Sequence, residues 1–231
     1  MAKPQELLTC LIARLLADAS HVAVGAASPI PATGVLLQKQ RNPALRVSML
    51  HRRKGNPFTE GSRELFDLAG QGRIDYFFLG GAQIDGEANI NLVQAEGRRF
   101  PGSFGSAFMY FTCKTVLFRE EHSRRVLVPK VEFISAPGWS PPEVRRRGGP
   151  VALLTGKALF SWQGDKRRFR LESVHQPGDV RAETGFEFDS PSPARATQAP
   201  SEEELKLLRG PVAREIAVDY ADFANRVWGI N

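Results

Sequence analysis

The stretch Ile74–Gly81, IDYFFLGG, constrains this chain more than any other. Its centre, Tyr76-Phe77-Phe78-Leu79, has no polar alternate, so a strand built from it carries apolar side chains on both faces. Such a strand needs cover on both sides, which parallel sheets obtain from the helices that link their strands. The fold this predicts is α/β, an open and mostly parallel sheet flanked by helices. The upstream residues supply its parts. Leu7, Leu8, Leu11, Ile12, Leu15 and Leu16 recur at helical spacing behind Pro4 and predict an amphipathic helix over 5–18. HVAVGAASPIP then reads as a short strand running into a turn, ATGVLLQK as a helix and RVSML as a strand. SRELFDLAGQG reads as a helix with Ser62 as N-cap and Gly72 as its stop.

The second half is richer in strand. Strands are predicted at FMYFTCKTVLFR, RVLVPKVEFI, VALLTGKALFSW and RFRLESVH, with GDVRAETGFEF after them. Residues 189–200, crowded with Pro, Ser and Ala, read as a surface linker. Helices from Ser201 to Arg209 and from Val212 to Val227 follow. The expectation is a single domain over 1–231 that closes in a helical segment, 201–228.

With 42% hydrophobic residues among 231, the chain has enough apolar material for a large core. No apolar run reaches the roughly 20 residues that span a bilayer, and MAKPQELL lacks the basic-then-apolar order of a signal peptide, so the expected location is cytoplasmic. Cys10 and Cys113 each lie in an apolar stretch and are expected as reduced, buried thiols. A net charge of +6 raises nucleic acid, a membrane surface or a phosphorylated ligand as partners. The basic residues fall in short scattered groups with no RNA-binding aromatic motif, finger spacing or basic helix, so neither nucleic acid nor membrane is expected. The scattered histidines and cysteines give no metal-ligand spacing, and no metal is expected.

Two glycine loops stand out. In Gly80-Gly81-Ala82-Gln83-Ile84-Asp85, paired glycines at the end of a buried strand allow either a plain tight turn or a close approach by a ligand whose oxyanion meets backbone N–H groups. Asn89 and Asn91 follow at strand spacing, and their amides suit hydrogen bonding to a carbonyl or carboxylate, or the capping of a turn. The second loop is Pro101-Gly102-Ser103-Phe104-Gly105-Ser106. It lacks the Gly-Lys-Ser/Thr of a nucleotide loop, and neither serine sits in a nucleophile elbow. Phe104, Phe108 and Tyr110 beside it suit an apolar acyl pocket or, more commonly for aromatics, the core.

The order GRIDYFFLGGAQID, NIN, FPGSFGSA, RRVLVPKVEFISAPG, SVHQPGDV with TGF, and APSEEELKLLR resembles the B chain of glutaconate-type coenzyme A transferases of family I, and of the related hydrolases that open steroid-derived rings. The resemblance runs from about Val22 to Arg209. It implies the coenzyme A transferase fold and an A-type partner subunit in a hetero-dimer or hetero-tetramer. It also implies an acyl-CoA thioester as substrate, with no permanently bound cofactor. In the transferases a B-chain glutamate attacks the thioester and later carries CoA as a glutamyl thioester. The loops matching Gly80, Gly81, Gln83, Gly102 and Gly105 shape the oxyanion and CoA environment around it.

This chain departs from that pattern at the turn after the second strand. Where the transferases have Glu-x-Gly it reads Arg53-Lys54-Gly55, and a guanidinium cannot act as a nucleophile. Glu60, seven residues on, is the remaining acid near that turn, and its other role is at the start of the following helix. Three readings follow. The chain is a subunit that binds acyl-CoA while the partner supplies the carboxylate, as in the ring-opening hydrolases, with Arg53, Asn89 and Asn91 on the substrate. It is alternatively a transferase with Glu60 or another residue of this chain as nucleophile, or a non-catalytic binding subunit.

Overall fold

The computed structural model describes residues 2–53, 55–56, 58, 60–102 and 105–230. Their contacts sort them into two compact units: the chain up to Phe78 together with Gln198 onward, and Leu79–Thr197.

The first unit begins with helix α1 (Pro4–Leu15), where the leucine spacing places it, and Leu8, Leu11 and Ile12 form its buried stripe. Strand β1 (His21–Val24), helix α2 (Pro29–Arg41) and strand β2 (Arg46–Met49) follow in the order read from sequence. β1 and β2 run parallel in unbroken register, from His21 opposite Arg46 to Val24 opposite Met49. Helices α1 and α2 cross at Gly34, where a Cβ would lie 2.4 Å from Ile12 Cγ2 and 3.0 Å from the Thr9 carbonyl, so only a glycine fits. Helix α3 (Ser62–Gly70) is capped by Gly61 rather than Ser62. Gly61 takes a φ of +63°, a conformation open to glycine at little cost, and turns the chain into the helix one residue early. Strand β3 (Tyr76–Leu79) buries all four residues, as its unbroken apolar run requires, and Tyr76 lies parallel to Val22 of β1.

The second unit opens with two small antiparallel pairs. Strands β4 (Gln83–Ile84) and β5 (Ile90–Asn91) form one, and β6 (Gln94–Ala95) and β7 (Arg98–Arg99) the other. The run FMYFTCKTVLFR, expected as one strand, divides into helix α4 (Ser106–Thr112) and strand β8 (Lys114–Arg119). A short apolar run fits either period. The helix is selected here by long-range bonds: Tyr110 donates its hydroxyl proton to the Ala88 carbonyl at 2.8 Å, and the Phe111 carbonyl accepts from Gly148 N at 2.7 Å. VALLTGKALFSW is likewise two strands, β9 (Gly149–Thr155) and β10 (Ala158–Gln163), turning at Gly156. With β11 (Arg168–Val174) they form an antiparallel meander, while β8 runs parallel to β9.

RVLVPKVEFI forms no strand ladder. Pro129 interrupts it, and its backbone bonds instead flank Ile84 one residue at a time, Val126 accepting from Ile84 and Val128 donating back to it. GDVRAETGFEF holds a short helix, α5 (Val180–Glu183), because Asp179 accepts from the N–H groups of Arg181 and Ala182 and starts a helical turn. The core of this unit centres on Phe160, with Phe169 and Phe188 edge-on to it at centroid distances of 6.3 and 5.2 Å. Residues 189–200 carry only isolated bridges, Arg170 to Asp189 and Val174 to Ala196.

Back in the first unit, helix α6 (Glu202–Leu207) starts in a capping box between Ser201 and Glu204. It runs through a widened π turn (Leu208–Val212) into helix α7 (Ala213–Asp219), so one bent rod stands where two separate helices were expected. The widening accommodates Pro211, whose ring clashes with the backbone of a regular helix. Helix α8 (Ala221–Trp228) closes the unit. Two ion pairs fasten these helices to α1. Fully buried Glu6 accepts from both Nε and Nη2 of Arg209 at 2.7 Å, and Arg14 bonds Glu204 at 2.6 Å. Both cysteines are free and buried. Among the described residues no helix is long and apolar enough to cross a membrane.

Candidate functional site

The carboxyl end of β2 is the expected place for chemistry in an open α/β sheet. There Leu50 N bonds the Val24 carbonyl at 3.0 Å, and Arg52 N bonds the Met49 carbonyl at 3.1 Å, so the chain leaves the strand in a tight turn. That turn lines a cavity of about 670 Å³ with His51, Arg52, Arg53, Glu215, Val218 and Asp219. His51 stacks on Tyr220 at 4.4 Å. Arg52 is spent internally, bonding Asp219 at 2.8 Å and Glu215 at 3.2 Å. Burial opposes its charge, but the bonds to Asp219 and Glu215 outweigh burial and raise its pKa. Arg53 is exposed and has no ion-pair partner among the described residues, so one uncompensated guanidinium faces the cavity.

Glu60 does not approach that role. Its side chain is 63% exposed, its N–H bonds Glu64 Oε2 at 2.8 Å, and its carboxylate faces Arg63 at 3.4 Å. It organises the start of α3. Lys54 of the same turn lies outside the described residues.

In the second unit the glycine turn Gly80-Gly81 meets neighbours closely. A Cβ on Gly80 would come 3.0 Å from the Phe118 carbonyl, and one on Gly81 2.7 Å from the Gln83 carbonyl and 2.8 Å from Ile90 Cγ2. The polar side chains behind it form a closed network. Gln83 Nε2 donates to Glu132 Oε1 at 2.8 Å, and Gln83 Oε1 accepts from Asn91 Nδ2 at 2.8 Å and Glu132 N at 3.0 Å. Asn91 Nδ2 also reaches the Gln94 carbonyl, while its Oδ1 accepts from Val93 N and Gln94 N. Asn89 bonds Asp85 through both its N–H and its amide, and its Oδ1 accepts from Gly138 N at 3.1 Å. These amides are thus engaged in holding the loop.

Gly102 takes a φ of +98°, with nothing within 4 Å of a Cβ there, and Gly105 is the N-cap of α4. Ser103 and Phe104 lie outside the described residues. Phe108 is 42% exposed, whereas Tyr110 is fully buried beneath the Arg146 guanidinium, 4.9 Å from its ring centroid. Glu132, Asp85 and Asp219 do not stand out in the sequence as site residues. An acid within the apolar run VPKVEFI is the available sign for Glu132, while the pairing of Arg52 with Asp219 leaves none. Among the described residues no group of three or more His, Cys, Asp or Glu stands close enough to hold a metal ion.

No family model matches the chain. Among curated proteins it is 32% identical over 161 residues to the B subunit of 3-oxoadipate CoA-transferase from Pseudomonas knackmussii, covering 63% of this chain and 62% of that one. It is 31% identical over 147 residues to the B subunit of glutaconate CoA-transferase from Acidaminococcus fermentans, covering 57% and 54%. It is 29% identical over 160 residues to the cholesterol ring-cleaving hydrolase IpdB subunit of Rhodococcus jostii, covering 64% and 62%. The chain thus spans less than two thirds of the length of these relatives. Among solved structures, the decarboxylase AibA/AibB superposes with a TM-score of 0.78 at 24% identity over 98% of this chain and 99% of that one. Glutaconate coenzyme A-transferase from Acidaminococcus fermentans gives 0.78 at 21% identity, over 90% and 94%.

The class defined by fold and site is an α/β chain of coenzyme A transferase architecture. Within it, the chain is similar in sequence to the B subunits of 3-oxoadipate and glutaconate CoA-transferases and of a ring-cleaving hydrolase.

Proposed function

We propose that this chain is the B-type subunit of a coenzyme A transferase-like enzyme, acting on an acyl-CoA thioester with an A-type partner and without a nucleophile of its own. The observation that carries the reading is Arg53: a cation with no ion-pair partner among the described residues, on the cavity at the end of β2, at the position that resembles the transferases' glutamate. A guanidinium there binds a carboxylate or phosphate of the substrate in a forked contact, and the attacking carboxylate then belongs to the partner. The Gly80-Gly81 turn, with Gln83 behind it, and Gly102 with Gly105 are assigned to the oxyanion and CoA environment, and Asn89 and Asn91 to shaping that loop for the substrate. No bound cofactor is required. The reduced, buried Cys10 and Cys113 support a cytoplasmic setting.

The exposure of Glu60 and its contact with Arg63 speak against the reading in which this chain carries the nucleophile. The test is turnover of acyl-CoA by the A–B complex, followed by hydroxylamine or borohydride trapping and mass spectrometry. Turnover that survives Glu60→Ala, with any adduct on the A chain, is the expected result. A glutamyl-CoA adduct on this chain overturns it, and a complex that neither binds nor changes any acyl-CoA returns the chain to a non-catalytic role. Arg53→Ala is expected to lower kcat/KM about 30-fold or more, the size of one lost charge-assisted contact.

A further inference from the structure

The network around Gln83 and Asn91 serves a neighbouring element. Asn91 holds Gln94 at the start of β6 through the Gln94 carbonyl and N–H. Glu132, itself fixed by Gln83, accepts the Glu96 N–H with both carboxylate oxygens at 3.1 Å. Glu96 and Gly97 form the turn with φ of +52° and +71°, the two-residue left-handed bend that matches the twist of a hairpin. Phe100 N closes one further rung on the Val93 carbonyl at 2.9 Å. A hairpin two residues deep has little stability alone, and this one is fixed by three side chains at its base and tip.

What it displays is two arginines. Arg98 pairs across from Ala95 and Arg99 across from Gln94. Both are exposed, and neither has an ion-pair or hydrogen-bond partner among the described residues. Arg119, Arg125, Arg168, Arg170 and Arg181 of the same unit have carboxylate partners, whereas Arg124, Arg145 and Arg195, like Arg98 and Arg99, have no ion-pair partner among the described residues; the hairpin sets two such arginines next to each other. Successive strand residues point to opposite faces, so the two guanidiniums straddle the hairpin and suit two separate anionic groups rather than one. Phe100, 39% exposed, follows on the Arg98 face and offers an aromatic surface. The chain then runs directly into the Gly102 loop.

We propose that the Arg98–Arg99 hairpin is a rigid arm for the 3′-phospho-ADP half of coenzyme A, its arginines on the 3′-phosphate and the pyrophosphate, with Phe100 against the adenine. This deepens the acyl-CoA reading and rests on it for the ligand. The first measurement compares acyl-CoA with the matching acyl-pantetheine, which lacks that half, on the A–B complex carrying Arg98→Ala and Arg99→Ala. KM for acyl-CoA is expected to rise about tenfold per lost contact while KM for acyl-pantetheine stays put. Unchanged or equally raised KM values for the two thioesters overturn the arm. The second measurement is calorimetric binding of adenosine 3′,5′-bisphosphate, which needs no turnover. Binding by the wild-type complex that the double variant loses supports the arm even if no thioester is processed, and absence of wild-type binding sinks it. Glu132→Gln separates positioning from contact: it should weaken bisphosphate binding less than the arginine changes, with rescue as salt is lowered.

Discussion

At the scale of single residues, charge and burial set how this protein responds to pH. Burial pushes His21, His122 and His175 below the ordinary imidazole value of 6.5. His21 shows why protonation is unwelcome: its Nδ1 faces the Arg73 carbonyl at 2.8 Å and so carries the proton, which leaves Nε2 to accept from Ser48 Oγ at 2.9 Å. A lowered pKa in the folded state means that the unfolded chain binds more protons below pH 6.5. The stability these residues contribute is therefore complete above that value and is lost as pH falls through the folded pKa. For Glu6 and Glu204 burial works toward a higher pKa, but the bonds from Arg209, the Lys3 N–H and Trp228 to Glu6, and from Arg14 and the Ser201 N–H to Glu204, together outweigh it, so their share is lost only further down, below the ordinary 4.5. Thermal unfolding measured against pH should show a plateau above the ordinary imidazole value of 6.5, a decline as pH falls below it, and a further decline below the ordinary carboxylate value of 4.5. A midpoint flat from 7.5 to 5.5 would contradict the histidine assignment. Residue identity also shows the reach of sequence reading. Arg53 and Gln83 are singled out in the sequence by type and place, but that Arg52 is neutralised by Asp219 and Glu215 depends on partners 167 and 163 residues away, and that Asn91 is consumed by Gln83 and Gln94 depends on how its own loop folds back.

At the scale of elements, α1 was legible because its apolar residues recur over three turns, and β1, β2 and β3 because each ends in glycine or a charged turn. In the second unit β9, β10 and β11 fall on the predicted strands, but Ser106–Thr112 is too short for its period to decide, and Val126 and Val128 give their backbone bonds to a two-residue strand. Two substitutions test the joints between elements. Arg209→Ala strips both guanidinium nitrogens from buried Glu6, leaving it the Lys3 and Trp228 N–H groups, and should lower the midpoint of denaturant unfolding, since a charged acceptor loses its charged donor. Gly81→Ala drives a methyl to 2.7 Å from the Gln83 carbonyl and should cost about 1–3 kcal/mol, with the β4–β5 pair displaced. An Arg209→Ala protein as stable as wild type would show that the α6–α7 rod is held by its apolar face and the Arg14–Glu204 pair without need of Arg209.

At the scale of the whole molecule, the irregular segment 133–144 leaves Phe133, Ile134, Trp139 and Val144 between 38% and 48% exposed. Trp139 is covered on one face only, by the Arg167 guanidinium at 3.5 Å. Aromatic and aliphatic side chains left so open suit cover by another chain. The isolated chain is expected to self-associate or lose stability, and a cognate A-type subunit to shield Trp139 from acrylamide quenching; wild-type quenching unchanged in the complex would place the partner elsewhere.

The parallel pairing of β8 with β9 has a kinetic consequence. Parallel neighbours are commonly joined by a helix that forms quickly on its own, whereas the connection over residues 120–148 carries no helix or strand element. Strand β8 therefore leaves the ribosome with its edge bare, and must wait for that entire irregular passage before β9 can zip alongside it. Until then its Val116-Leu117-Phe118 run, buried or half-buried in the finished sheet, is open to other chains, and slower closure of this long loop is expected to leave more of the newborn protein to aggregate.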